Sequence, residues 1–145
     1  MTLNDFLTPD EQKSIVEAIA QAERMTSGEI RVHVTPRCWG NALKRARKVF
    51  DKLEMYKTRE RNGMLIYLAF KSRKFAIMGD AGINELLPDN YWDSERDLLA
   101  SHLSAGTAAQ GIIEVIGHMG DKLKEHFPHQ DDDENELSNE ISYED

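Results

Sequence analysis

The feature that most constrains this chain is Met64-Leu65-Ile66-Tyr67-Leu68-Ala69-Phe70, seven consecutive apolar residues without polar alternation. The run is far short of a membrane span. It suits a central strand covered on both faces, because a strand with one wet face would alternate. Covering both faces calls for helices, so the expected fold class is α/β, a three-layer α/β/α sandwich around a small mixed sheet.

The flanking sequence supplies the layers. Thr8, Pro9 and Glu11 provide the N-cap, N1 proline and N3 carboxylate of a capping box. Ile15, Val16, Ile19, Ala22 and Met25 follow at helical spacing up to Ser27-Gly28. From Glu29 to Thr35 the sequence alternates, with Ile30, Val32 and Val34 on one side, which predicts a strand. A second helix carries Ala42, Leu43, Ala46, Val49, Phe50 and Leu53 as its apolar stripe. After the apolar strand, Lys71-Ser72-Arg73 makes a hairpin turn into a strand from Lys74 to Gly79. Two helices are expected beyond it, from about Asn90 to Ser104 and from a second capping box at Thr107 and Gln110 to Pro128. The predicted order is α-β-α-β-β-α-α.

Charge divides the chain unevenly. The net charge is −8, yet residues 131–145 hold eight acids and no base, while the first 130 residues hold eighteen of each. The run Asp131-Asp132-Asp133-Glu134-Asn135-Glu136 offers little apolar surface to offset its ordering entropy. Residues 1–130 are therefore expected to fold as one domain, and 131–145 to form a disordered acidic tail dispensable for folding. With one cysteine, Cys38, no internal disulfide forms, and Met1-Thr2-Leu3-Asn4-Asp5 lacks the character of a signal peptide. A cytoplasmic location is the expectation.

Six carboxylates, Asp80, Glu85, Asp89, Asp93, Glu95 and Asp97, fall within one loop and helix start, with Arg96 as the only base. Hard cations such as calcium and magnesium require several convergent oxygen ligands, and a loop leaving a strand end can supply them. The spacing lacks the glycine and terminal glutamate of an EF-hand. The plainer alternative makes Asp89 or Asp93 a helix N-cap and leaves the rest as a solvated face.

Between Arg37 and Lys74 twelve bases stand against three acids, but the bases on the second helix have no aromatic residue interleaved with them on the same face for base stacking. They read as the outward face of the second helix, so no nucleic-acid partner is expected. Cys38 would need an arginine six places on to serve as a phosphatase nucleophile; position 44 is Lys44, and Arg45 is one place late. The five histidines show no ligand spacing.

Several segments together resemble the TPM-domain family. They are Thr26-Ser27-Gly28-Glu29-Ile30-Arg31-Val32, Arg61-Asn62-Gly63-Met64-Leu65-Ile66-Tyr67, Gly79-Asp80-Ala81-Gly82-Ile83-Asn84 and Leu87-Pro88-Asp89. The resemblance runs from about Leu7 to Phe127 and implies a sheet of about four strands between helical layers; only three are legible in the pattern. It also implies two loops crossing near a sheet edge with divalent metal beside them, here Thr58 to Gly63 and Asp80 to Asp93. The metal ligands so implied are Asn62, Asn84 and Asp89 by motif, Asp80 at a position where many relatives carry glycine, and Glu60 and Asp93 by proximity. The expected function is a regulatory or accessory metal-binding domain, with calcium preferred and magnesium as the substitute. The rivals are a metal-dependent acid phosphatase, with Arg59, Arg61 or Arg96 as anion clamp, and a module binding an unidentified protein through the basic helix or the tail. Relatives with membrane helices differ from this chain, and no membrane partner is expected.

Overall fold

The computed structural model describes residues 1–88, 90–129 and 137–144. Its centre is β2 (Gly63–Ala69), every residue of which is buried. β2 pairs in parallel with β1 (Glu29–Thr35), Glu29 opposite Gly63 and Thr35 opposite Ala69. On its other side it pairs antiparallel with β3 (Lys74–Gly79), Met64 opposite Gly79. The sheet is mixed, in the order β3-β2-β1-β4, with β4 (Ser142–Tyr143) at the far edge.

The absence of alternation in β2 follows from two separate cores. Met64, Ile66 and Leu68 join Ile30, Val32 and Val34 under α2 (Pro9–Glu23), α5 (Tyr91–Ala105) and α6 (Ala108–His126). Leu65, Tyr67 and Ala69 face the other way, against Ala46, Val49 and Phe50 of α3 (Ala42–Lys52). The capping box opens α2 as expected, Thr8 Oγ1 accepting from Glu11 N at 3.2 Å and Glu11 Oε1 accepting from Thr8 N at 2.9 Å.

Other local expectations need correction. α2 ends at Glu23, with Arg24 as C-cap, so Met25 leaves the buried stripe and is exposed. Thr107 does not cap α6; its hydroxyl is 2.8 Å from His102 Nδ1, and that pairing diverts it from the helix amides. The N-cap of α5 is Asn90, which makes no side-chain cap, and Asp93 lies in the first turn. Two one-turn helices, α1 (Leu3–Phe6) and α4 (Ala81–Asn84), have too few residues to show a period.

The largest correction concerns the C-terminal segment. Ser142–Tyr143 form β4, parallel to β1, with His33 opposite Ser142 and Val34 opposite Tyr143. Ile141 packs against the larger core and Leu137 against the smaller. The missing fourth strand therefore lies in the segment expected to be disordered. Two apolar side chains and a free strand edge supply the order that composition alone denied it. Residues 131–136, the most acidic part, lie outside the described residues.

Candidate functional site

The loop 58–63 and the β3–α4 turn cross at one end of the sheet. Gly82 N donates to Arg61 O at 2.9 Å. A β-carbon on Gly82 would lie 2.1 Å from Glu60 O and 2.8 Å from Arg61 O, so only glycine admits this approach. Arg61 itself takes a left-handed conformation, φ +51°. That turn carries its side chain to Asp80, with Nε donating to Oδ2 at 2.6 Å and Nη2 to Oδ1 at 2.7 Å. Ala81 N also donates to Asp80 Oδ1, at 2.8 Å, making Asp80 the N-cap of α4. The Asp80 carboxylate, only 6% exposed, is thus surrounded by three N–H donors.

Next to this lies an oxygen-rich corner. Ser27 Oγ donates to Glu60 Oε2 at 2.8 Å, and Asn62 Nδ2 lies 3.3 Å from both Ser27 Oγ and Glu60 Oε2. Asn62 is 1% exposed, and its Oδ1 has no hydrogen-bond partner among the described residues. A buried amide oxygen without a donor is costly, and it is the kind of atom a bound cation or water would satisfy. Glu60 is exposed to solvent.

The structure does not gather the six expected ligands into one cluster. Glu60 and Asn62 are together, but the oxygens of Asp80 are held by Arg61 and Ala81. Asn84 donates through Nδ2 to Gly79 O at 2.9 Å. Asp93 pairs with Arg96 on the exposed first turn of α5, a local i,i+3 ion pair. Asp89 lies outside the described residues. Among the described residues no group of three His, Cys, Asp or Glu side chains is placed to hold a metal. A three-carboxylate cage is therefore not what these residues fit; an oxygen corner with one carboxylate is.

Two polar features, one half-buried and one buried, escaped the sequence reading. Glu23, at the end of α2, accepts from Ile30 N at 2.8 Å and so covers part of the free edge of β1. Burial, with the neighbouring Glu29 carboxyl adding to it, pushes its pKa up to about 9. Nothing in the local pattern marks Glu23, because its partner is seven residues on and across a turn. Farther along the same edge His33, 3% exposed, lies with Nδ1 2.9 Å from Ser142 Oγ and its ring stacked on Tyr67. Its position in the polar register of β1 gave no hint of burial, which depends on β4.

Matching against protein-family models pairs residues 2–122 with the TPM domain. The chain belongs to the TPM-domain family. Among solved structures, this TPM domain is similar to the BA42 protein from the psychrophilic bacterium Bizionia argentinensis, at 40% identity and a TM-score of 0.90 over 99% of each chain. The N-terminal domain of a P. gingivalis protein shares the fold at 18% identity and a TM-score of 0.69, covering 88% of this chain and 84% of that one. The N-terminal domain of the cg2496 protein from Corynebacterium glutamicum does so at 12% identity and 0.62, covering 99% and 83%. No curated protein sequence matches the chain significantly. No helix among the described residues is long and apolar enough to cross a membrane.

Proposed function

We propose that this TPM domain is a regulatory or accessory module that takes a divalent cation, calcium in preference to magnesium, at the loop crossing. The observation that supports this is the buried Oδ1 of Asn62, without a partner among the described residues, beside the exposed carboxylate of Glu60. Glu60 would supply the charge, and Asn62 Oδ1 a fixed neutral ligand. Ser27 Oγ would turn its lone pairs to the ion after giving up Glu60. Calcium tolerates such an irregular, partly hydrated oxygen set better than magnesium does. A bound cation would supply charge neutralisation and a bridge between the segments before β1 and β2. Binding is favoured over phosphoryl chemistry because two of the three candidate anion clamps are spent internally, Arg61 on Asp80 and Arg96 on Asp93.

One committed carboxylate makes a weak site. The expected dissociation constant is about 0.1–1 mM, the range of oxygen sites with few charged ligands. A tenfold excess over that constant would then add about 1.4 kcal/mol to stability. Calcium titration should move the amide resonances of Ser27 and Glu60 to Asn62 and raise the melting temperature. Glu60→Gln should abolish both effects without changing the apo fold. Micromolar binding lost in Asp80→Asn would mean that Asp80 releases Arg61 for the ion. Unmoved resonances and melting temperature would remove the metal site altogether. Metal-dependent turnover of a chromogenic phosphate ester would overturn the non-catalytic part of the proposal.

A further inference from the structure

Trp39 is 80% exposed, a rare state for the largest apolar side chain. It is not on a loose loop. Cys38, directly before it, is buried in the smaller core, and its backbone N donates to Ser72 Oγ at 2.9 Å. Gly40, directly after it, has φ +88°, and its carbonyl accepts from Lys74 Nζ at 2.8 Å. Lys74 Nζ also reaches Cys38 O at 3.3 Å, and Lys71 N donates to Pro36 O at 2.7 Å. The residues on both sides of Trp39 are thus fastened to the β2–β3 hairpin turn, and the indole is held outward. A residue left exposed by disorder would have no such anchoring.

The surroundings of the indole are basic and partly apolar. Leu43, on the first turn of α3, is 39% exposed. Arg37, Lys44, Arg47 and Lys48 are exposed in the flanking sequence, and Lys71 and Arg73 belong to the hairpin turn that anchors the loop. From Thr35 to Phe50 there is no carboxylate at all. Lys52 points elsewhere, pairing with Glu144 at 3.7 Å.

We infer that the Trp39 loop and the N-terminal half of α3 form a peripheral docking surface for an anionic lipid leaflet. Trp favours the headgroup level of a bilayer, where its ring is half in hydrocarbon and its N–H remains hydrated. Lys and Arg around it meet lipid phosphates and carboxylates. A single-stranded nucleic acid fits less well, because it needs a row of stacking platforms and this patch has one aromatic ring. The absence of a spanning segment, which carried the expectation of no membrane partner, has no bearing on a peripheral contact. The net charge of −8 opposes approach, so docking depends on the local field within a screening length and should be strongly salt-sensitive.

The test is vesicle co-sedimentation and tryptophan emission of the full chain, using phosphatidylcholine vesicles with and without phosphatidylserine. The expected result is binding to the anionic vesicles only, with the emission shifting to shorter wavelength. Each basic side chain near an anionic leaflet strengthens binding about fivefold, so Lys44→Gln with Arg47→Gln should weaken partitioning about twentyfold or more. Trp39→Ser should remove the emission shift and lower partitioning while leaving circular dichroism and melting unchanged. Raising the salt to about 1 M, where the screening length is about 3 Å, should abolish binding. Equal binding to neutral vesicles, no binding at low salt, or full retention in both variants would each overturn the inference. So would tighter binding to a single-stranded oligonucleotide than to anionic vesicles.

Discussion

The loop crossing and the free edge of β1 both bury polar side chains, but they complete them differently. At the crossing, Asp80 receives donors from Arg61 and Ala81, all from segments brought together by the Gly82 approach. At the edge, His33 Nδ1 has Ser142 as its partner, while Nε2 lies 3.8 Å from Glu144 and makes no hydrogen bond among the described residues. Tyr67 Oη is likewise buried without a hydrogen bond there. A saturated polar cluster fixes backbone, whereas an undersaturated one held by a two-residue strand is conditional on that strand staying in place. The crossing is thus framework, with Asn62 Oδ1 and the exposed Glu60 carboxylate left for a ligand. The edge depends on the far end of the chain.

The largest expected effect tests the framework. Gly82→Ala forces a methyl group against two carbonyl oxygens and should cost about 3 kcal/mol, since overpacked sites relax only by shifting backbone. Urea unfolding measures it directly. A midpoint near that of the natural chain would show the crossing to be pliable, and the contrast with the edge would fail.

A smaller loss is expected at the edge. Deleting residues 137–145 removes the half-buried Leu137 and Ile141 together with β4, and should lower stability by about 2 kcal/mol. It should also speed hydrogen exchange at β1 while leaving the Arg61 and Gly82 amides protected. An unchanged unfolding midpoint would restore the sequence expectation of a dispensable tail.

The smallest effect concerns pH. Burial holds the pKa of His33 below the usual histidine value, with Arg31, Lys52 and Arg45 adding to the depression and Glu144 opposing it. The unfolded chain therefore binds the proton more readily. The stability associated with a neutral His33 is complete above about pH 6.5 and is lost as pH falls towards the folded-state value. His33→Phe, which keeps a ring against Tyr67, should flatten that part of the melting temperature curve as pH falls below about 6.5. An unaltered slope would mean that β4 leaves before His33 titrates.

The layers were legible because their signals are local. Seven apolar residues in β2, alternation in β1 and the Thr8–Glu11 box each act within one element. The candidate site was legible only as two loops. The sequence offered six carboxylates between Asp80 and Asp97, but spacing carries no information on which of them a guanidinium nineteen positions away will occupy. Ser27 and Glu23 were missed for a similar reason, since their partners lie across turns.

What the sequence alone determined is the α/β class, the order of the longer helices and the first three strands, and membership of the TPM-domain family. The class and the order follow from hydrophobic period, caps and turn residues, and the family from the motif segments that resemble it. The tertiary structure alone decided that Arg61 holds Asp80, that Asn62 Oδ1 has no partner among the described residues, that Trp39 is held outward, and that β4 completes the sheet. Each of these depends on distances between segments remote in sequence, and burial, desolvation and hydrogen-bond partners exist only once those segments have met.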